Sequence, residues 1–190
     1  LGYPFSISET FQMRNTNSNL EKSFDRVKQI LDIVSNHNKE LILYISMAFG
    51  NPYGDPWNSE IISFWLEKLR ALGCRTIALS DTIGVATPES ISYIFSHLIP
   101  SYPELEFGAH FHTLPNAWEE KIQAAFDSGC RRFDGAIKGF GGCPMAKDVL
   151  TGNMPTEHII DFFSKQGEET GVKSDKFNEA LLYSSNVFTH

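Results

Sequence analysis

Two histidines, His110 and His112, lie in the apolar run LEFGAHFH and are followed by a glycine loop, GFGGCP, and then by TGN at Thr151–Asn153. An apolar run of this length with polar groups at its end reads as a buried strand, and side chains two apart on a strand share a face. Two imidazoles side by side can grip one divalent ion. Cys143, between glycine and proline on the loop, could bring a thiol near that ion, and the amide of Asn153 offers a carbonyl oxygen as a further donor. The plainer alternative is a hydrogen-bonded structural pair, with Asn153 capping the helix that Pro155 opens. A thiol on a glycine-rich loop makes a poor core residue, which favours chemistry for Cys143.

Such a site needs elements to hold it, and the chain supplies an alternating set. Leu20, Phe24, Val27, Ile30, Leu31 and Val34 form a helical stripe between Asn19 and His37. LILYISMAF (41–49) is a strand followed by turn chemistry, and 58–72 is a second amphipathic helix ending at Gly73. TIALSD (76–81) is a strand; Thr87-Pro88-Glu89 opens a third helix that ends near Leu98, before Pro100. The histidine strand, a helix over 115–128 and the strand RRFDGAI (131–137) follow, then helices from Pro155 to Lys165 and from about Asp175. Strand–helix alternation without hairpin turns predicts parallel strands joined by right-handed crossovers. Ser46, Asp81, His110, His112, Asp134 and Cys143 fall at or past successive carboxyl strand ends. In a barrel those ends meet at one mouth, whereas in an open doubly wound sheet they spread along an edge. Convergence favours the barrel.

Composition narrows the partners. With 42% hydrophobic and 21% charged residues, the 190-residue chain has the makeup of a globular protein with one sizeable core. The net charge of −7 argues against nucleic acid, which needs a basic face, but leaves anionic small substrates open. No apolar run reaches membrane-span length, so no membrane partner is expected. Three cysteines far apart suggest no disulfide framework and a reducing, cytoplasmic compartment. Cys74 and Cys130, each after a glycine at a helix-to-strand junction, are expected to be buried and structural.

The segments SISETFQMRNTN (6–17), YISMAFGNPYGDP (44–56), LSDTIGVATPE (79–89), HFH (110–112), FDGAIKGFGGCPMA (133–146) and TGNMPTE (151–157) resemble the 3-hydroxy-3-methylglutaryl-CoA lyases. These belong to a group of metal-dependent (β/α)8, or TIM, barrels that also includes isopropylmalate and homocitrate synthases. The glycine–cysteine loop points to the lyases within that group. The resemblance implies cleavage of 3-hydroxy-3-methylglutaryl-CoA to acetyl-CoA and acetoacetate with Mg²⁺ or Mn²⁺. It implies His110, His112 and Asn153 as metal ligands, and Cys143, Asp81 and Glu9 as catalytic residues of the mouth. Gly139, Gly141 and Gly142 would give the loop its freedom to close. The partners implied are a small acyl-CoA and a second copy of the chain, as a homo-oligomer.

The family's further metal ligand, an aspartate in an R-D-G-x-Q motif on the first strand, has no counterpart here. A whole barrel takes about 250 residues, and this chain is expected to run from the end of strand 4 through strand 8. Residues 1–167 would be the later part of the barrel, and 168–190 a linker and terminal helix. Thr113 stands where the lyases carry aspartate, and the Cys143-to-Asn153 spacing is one residue longer than usual. Both leave open a related aldolase or Claisen-type synthase on another hydroxyacyl-CoA or 2-oxo acid. The missing early strands leave open a non-catalytic barrel remnant that serves as an interaction module.

Overall fold

The computed structural model describes residues 1–142 and 151–187. Five parallel strands carry the architecture: β1 (Gly2–Ser6), β2 (Ile42–Ser46), β3 (Thr76–Asp81), β4 (Glu106–Thr113) and β5 (Arg132–Asp134). They lie side by side in chain order, β1-β2-β3-β4-β5. A doubly wound sheet reverses its order at a switch point; this one never does, so every right-handed crossover adds a strand in the same direction, as in a barrel. The convergence read from the sequence therefore has a topological basis.

Between the strands run α1 (Glu9–Thr16) and α2 (Leu20–Asn36), then α3 (Ser59–Ala71), α4 (Pro88–Ser101) and α5 (Trp118–Asp127). A two-residue strand β6 (Gly152–Asn153), α6 (Thr156–Lys165) and α7 (Ser174–Val187) complete the described elements, with a short 3-10 turn at Ile137–Gly139. Among the described residues no helix is long and apolar enough to cross a membrane. The core fills the space between the strands and the helices. Phe5, Leu43, Ile45, Ile77 and Leu79 from the sheet meet Val27, Ile62, Leu66, Ile91 and Phe95 from the helices. Their burial, at about 25 cal/mol per Å² of apolar surface, is what drives helices onto strands.

The elements depart from the sequence expectation in several places. Helix α1 has no apolar stripe to announce it; it forms because Ser8 accepts the Phe11 N–H at its start and Asn17 ends it in a left-handed turn. Strand β2 stops at Ser46 rather than Phe49, because Met47 takes φ = 62° and turns the chain. Helix α4 runs through Pro100 to Ser101, since proline in a last turn forfeits only one hydrogen bond. Strand β5 is shorter than RRFDGAI, because beyond Asp134 the chain leaves β4: Ala136 N–H donates to the Met154 carbonyl at 2.9 Å.

A candidate metal centre at the carboxyl ends of the strands

Strand alternation sets which side chains reach the mouth. His110 pairs in register with Ser80 and Asp134, and His112 lies two residues on, so both imidazoles share the face opposite the helices. Asn153 arrives by a route absent from the sequence expectation. Strand β6 pairs antiparallel with β4, setting Asn153 directly opposite His112 and Gly152 opposite Thr113. Asn153 does not cap α6, whose cap residue is Pro155. These side chains line a cavity of about 510 Å³. Tyr44 and Ser46 of β2, Ser80 and Thr82 around the end of β3, and Phe11 and Asn15 of α1 complete much of its wall.

His112 and Asn153 each have the second polar atom hydrogen-bonded, and His110 has a carboxylate beside its Nδ1. His112 Nδ1 lies 3.0 Å from the Asp81 carbonyl, which can only accept, so Nδ1 carries the proton and Nε2 keeps its lone pair. Burial pushes the His112 pKa below its ordinary value, an effect larger than the opposing hydrogen bond to Asp81, and this keeps the ring neutral. His110 Nδ1 faces Asp134 Oδ2 at 3.4 Å. Burial works against the Asp134 charge, but His110, Tyr44 and Arg132 outweigh it and hold its carboxyl below the usual range. Tyr44 moves the other way, raised by burial and then by the Asp134 charge. Asn153 Nδ2 donates to the Phe140 carbonyl at 2.8 Å, and its Oδ1 accepts from no donor among the described residues. Two imidazole lone pairs and an amide oxygen are thus available at one cavity, each oriented by a hydrogen-bonding or charged neighbour. Among the described residues no three His, Cys, Asp or Glu side chains form such a group; the third donor here is an amide.

The glycine loop has a static reason for its glycines beside the expected freedom to close. Gly139 and Gly141 hold φ of 65° and 84°, and a Cβ on them would sit 2.8 Å from the Asn153 carbonyl oxygen and 2.9 Å from Asn153 Nδ2. A Cβ on Gly142 would meet the Thr151 carbonyl oxygen at 2.7 Å. The loop lies directly against the segment that carries Asn153. Cys143 falls outside the described residues.

Two acidic residues expected at the mouth are placed elsewhere. Asp81 neighbours Ser80, so alternation turns its side chain to the helices; it is sealed there, with Oδ2 2.7 Å from Lys121 Nζ and Oδ1 accepting the Val85 N–H at 2.8 Å. The structure places this carboxylate away from the cavity. Glu9 is exposed on the first turn of α1, where its Oε2 accepts the Leu20 N–H at 3.3 Å, and it does not line the cavity. Cys74 and Cys130 are buried and unpaired, as expected. Sequence reading missed Tyr44, Phe11 and Lys121. Tyr44 carries a usable signal, the same strand parity as Ser46. Lys121 interrupts the buried stripe of α5 beside Ile122 and Ala125, and a lysine at such a position needs a partner.

This arrangement has relatives. The family model described as HMGL-like matches residues 4–182. The cytoplasmic 3-hydroxy-3-methylglutaryl-CoA lyase of Rattus norvegicus is 32% identical over 175 residues, 92% of this chain and 51% of that protein. The hydroxymethylglutaryl-CoA lyase of Pseudomonas mevalonii is 30% identical over 88% of this chain and 55% of its own length. The chain thus spans about half the length of the curated relatives it matches. Among solved structures, the HMG-CoA lyase of Brucella melitensis superposes with a TM-score of 0.88 at 27% identity, over 98% of this chain and 65% of that one. An HMG-CoA lyase from Acinetobacter baumannii, solved with coenzyme A and 3-methylmalate, gives 0.86 at 26% identity, over 100% and 62%. Strand order, inward-facing histidines and family match agree: the chain belongs to the HMGL-like family, and its fold is part of a TIM barrel.

Proposed function

We propose that the protein is a divalent-metal-dependent carbon–carbon lyase acting on 3-hydroxy-3-methylglutaryl-CoA. One observation carries this reading: His110, His112 and Asn153 line one cavity, His112 and Asn153 each oriented by a hydrogen bond through the other polar atom and His110 with the Asp134 carboxylate beside its Nδ1. A donor set of two imidazoles and an amide oxygen, without thiolate among the described residues, suits Mn²⁺ or Mg²⁺ once substrate oxygens join it. Such an ion supplies positive charge that acidifies the substrate hydroxyl and fixes its geometry.

The chain's own groups do the rest. His110, His112 and Asn153 hold the reacting centre at the cavity floor, while Tyr44, Ser46 and Thr82 shape the wall against which the acyl group lies. In the reaction the tertiary hydroxyl loses its proton, the C2–C3 bond breaks, the hydroxyl carbon becomes the ketone of acetoacetate, and C2 becomes the enolate of acetyl-CoA. Cys143 is proposed to give that enolate carbon its proton. Asp81 is assigned to orienting His112, because its carboxylate is closed off by Lys121. An acyl-CoA partner, a homo-oligomeric state and a reducing, cytoplasm-like compartment for the unpaired thiols belong to the same proposal. Thr113 keeps a second substrate in view. It is buried, and its hydroxyl donates to the Leu114 carbonyl at 3.0 Å, where the lyases carry a charge.

The test is an assay of the full-length protein against a panel of hydroxyacyl-CoA thioesters with Mn²⁺ or Mg²⁺. Acetyl-CoA release from 3-hydroxy-3-methylglutaryl-CoA is expected, lost on chelation and reduced by orders of magnitude in His110→Ala and His112→Ala. Activity on another hydroxyacyl-CoA alone would move the assignment to the related aldolases. Full activity in both variants would end the metal-site reading.

A further inference from the structure

We infer that Lys121 is a positioning residue for the metal centre, an inference that rests on His112 being a ligand as proposed above. Its ammonium is almost sealed, with the side chain 5% exposed and that of Asp81 fully buried. It donates to three acceptors: Asp81 Oδ2 at 2.7 Å, the His112 carbonyl at 2.9 Å and the Gly84 carbonyl at 3.3 Å. An ammonium has three protons, so the group is saturated. Asp81 in turn receives His112 Nδ1–H on its own carbonyl. The connections close a ring. The His112 ring is tied to the Asp81 backbone, the Asp81 side chain to Lys121, and Lys121 back to the His112 backbone. The imidazole's backbone anchor and its Nδ1 partner are therefore fixed by one cation.

The Gly84 contact extends the tie to the turn after β3. Thr82 of that turn lines the cavity and accepts the Met47 N–H at 2.8 Å, so the same ammonium steadies the wall between β2 and β4. A buried ion pair is weak evidence for stability, because well-packed apolar residues of the same volume often serve as well or better. Geometry is what the apolar pair would not supply. Partners of a metal-bound imidazole fix its tautomer and angle, and their loss typically lowers metal affinity or turnover about 10- to 100-fold.

Lys121→Met in the full-length protein removes the charge at nearly constant volume. Asp81→Asn/Lys121→Met also neutralises the carboxylate left behind, in case the single variant does not fold. The readouts are Mn²⁺ affinity, followed by the spin-resonance signal of free Mn²⁺, and the Nδ1-proton resonance of His112 in metal-free protein. A folded variant is expected to bind Mn²⁺ about 10-fold or more weakly and to lose or shift the His112 resonance. A folded double variant with unchanged Mn²⁺ affinity and an unchanged resonance overturns the inference and leaves Lys121 a structural ion pair. If the wild type binds no Mn²⁺ and cleaves no thioester, the proposed function fails by itself. The resonance in metal-free protein then still decides whether Lys121 sets the ring.

Discussion

His112 has its Nδ1 proton held by a backbone carbonyl, and its burial disfavours the charged ring. An imidazole so placed is a ready ligand at neutral pH. The same physics separates the three thiols. Burial pushes Cys74 up to about 11 and Cys130 up to about 12, so both stay protonated and shielded. Alkylation with iodoacetamide near pH 7.5 is therefore expected to modify Cys143 selectively, with inactivation that substrate slows. Cys143→Ser should retain Mn²⁺ and substrate binding while losing kcat, because a hydroxyl is a far weaker acid than a thiol. Labelling of Cys74 or Cys130 at the same rate, seen by peptide mass spectrometry, would remove the distinction, and unchanged kcat in Cys143→Ser would make the thiol a bystander. At this scale the sequence was legible where parity is simple. His110 and His112 share a face because they are two apart. The placement of Asp81 was less legible, because a polar residue at a strand end suggests the mouth until its neighbour Ser80 is seen to occupy that face. Asn153 was legible by motif alone, since the strand that carries it is two residues long.

At the scale of elements, α1 brings Phe11 and Asn15 to the cavity, and its start is fixed from another loop. Asp55, in the turn chemistry after β2, accepts from Ser8 Oγ at 2.6 Å and from Thr10 N and Oγ1 at 3.1 Å each. These hydrogen bonds, that to Ser8 foremost, hold the Asp55 carboxyl below its ordinary range. A lowered folded value means the stabilisation is complete above the unfolded carboxylate range and is lost as pH falls through the lowered one. Asp55→Ala is expected to cost about 1–2 kcal/mol at pH 7, typical of hydrogen bonds to a charged group. The difference from wild type should be smaller at pH 3. Thermal melts at both pH values check this, and a difference that is equal at both would show that the charge is not what holds α1. The amphipathic helices α2 and α3 were legible because their apolar faces repeat at 3.6 residues. Helix α1 was not, because capping at its ends, rather than a buried stripe, defines it.

At the scale of the molecule, chain-order pairing makes the barrel assignment firm and raises the question of the sheet's edges. The notion that an open edge should recruit another chain holds only if its backbone groups are free. The contacts at the two ends of β1 fix which of its residues face β2: Ile42 N–H donates to the Leu1 carbonyl, and Ile7 N–H to the Ser46 carbonyl. The odd-numbered residues therefore pair with β2, and Gly2, Pro4 and Ser6 turn their backbones to the free edge. Pro4 has no N–H to offer, and the Ser6 N–H is taken by Gln12 Oε1 at 2.6 Å. Only Gly2 presents a donor there, and β5 at the other end is three residues long. Association of copies of the 190-residue chain by itself is thus expected to use another surface than β1. Pro4→Ala/Gln12→Ala in the 190-residue chain restores two edge donors and should raise its self-association, read as a larger mass by light scattering at equal concentration. A variant that stays folded by circular dichroism and matches the wild type in mass across concentrations would show that these two residues do not blunt the edge.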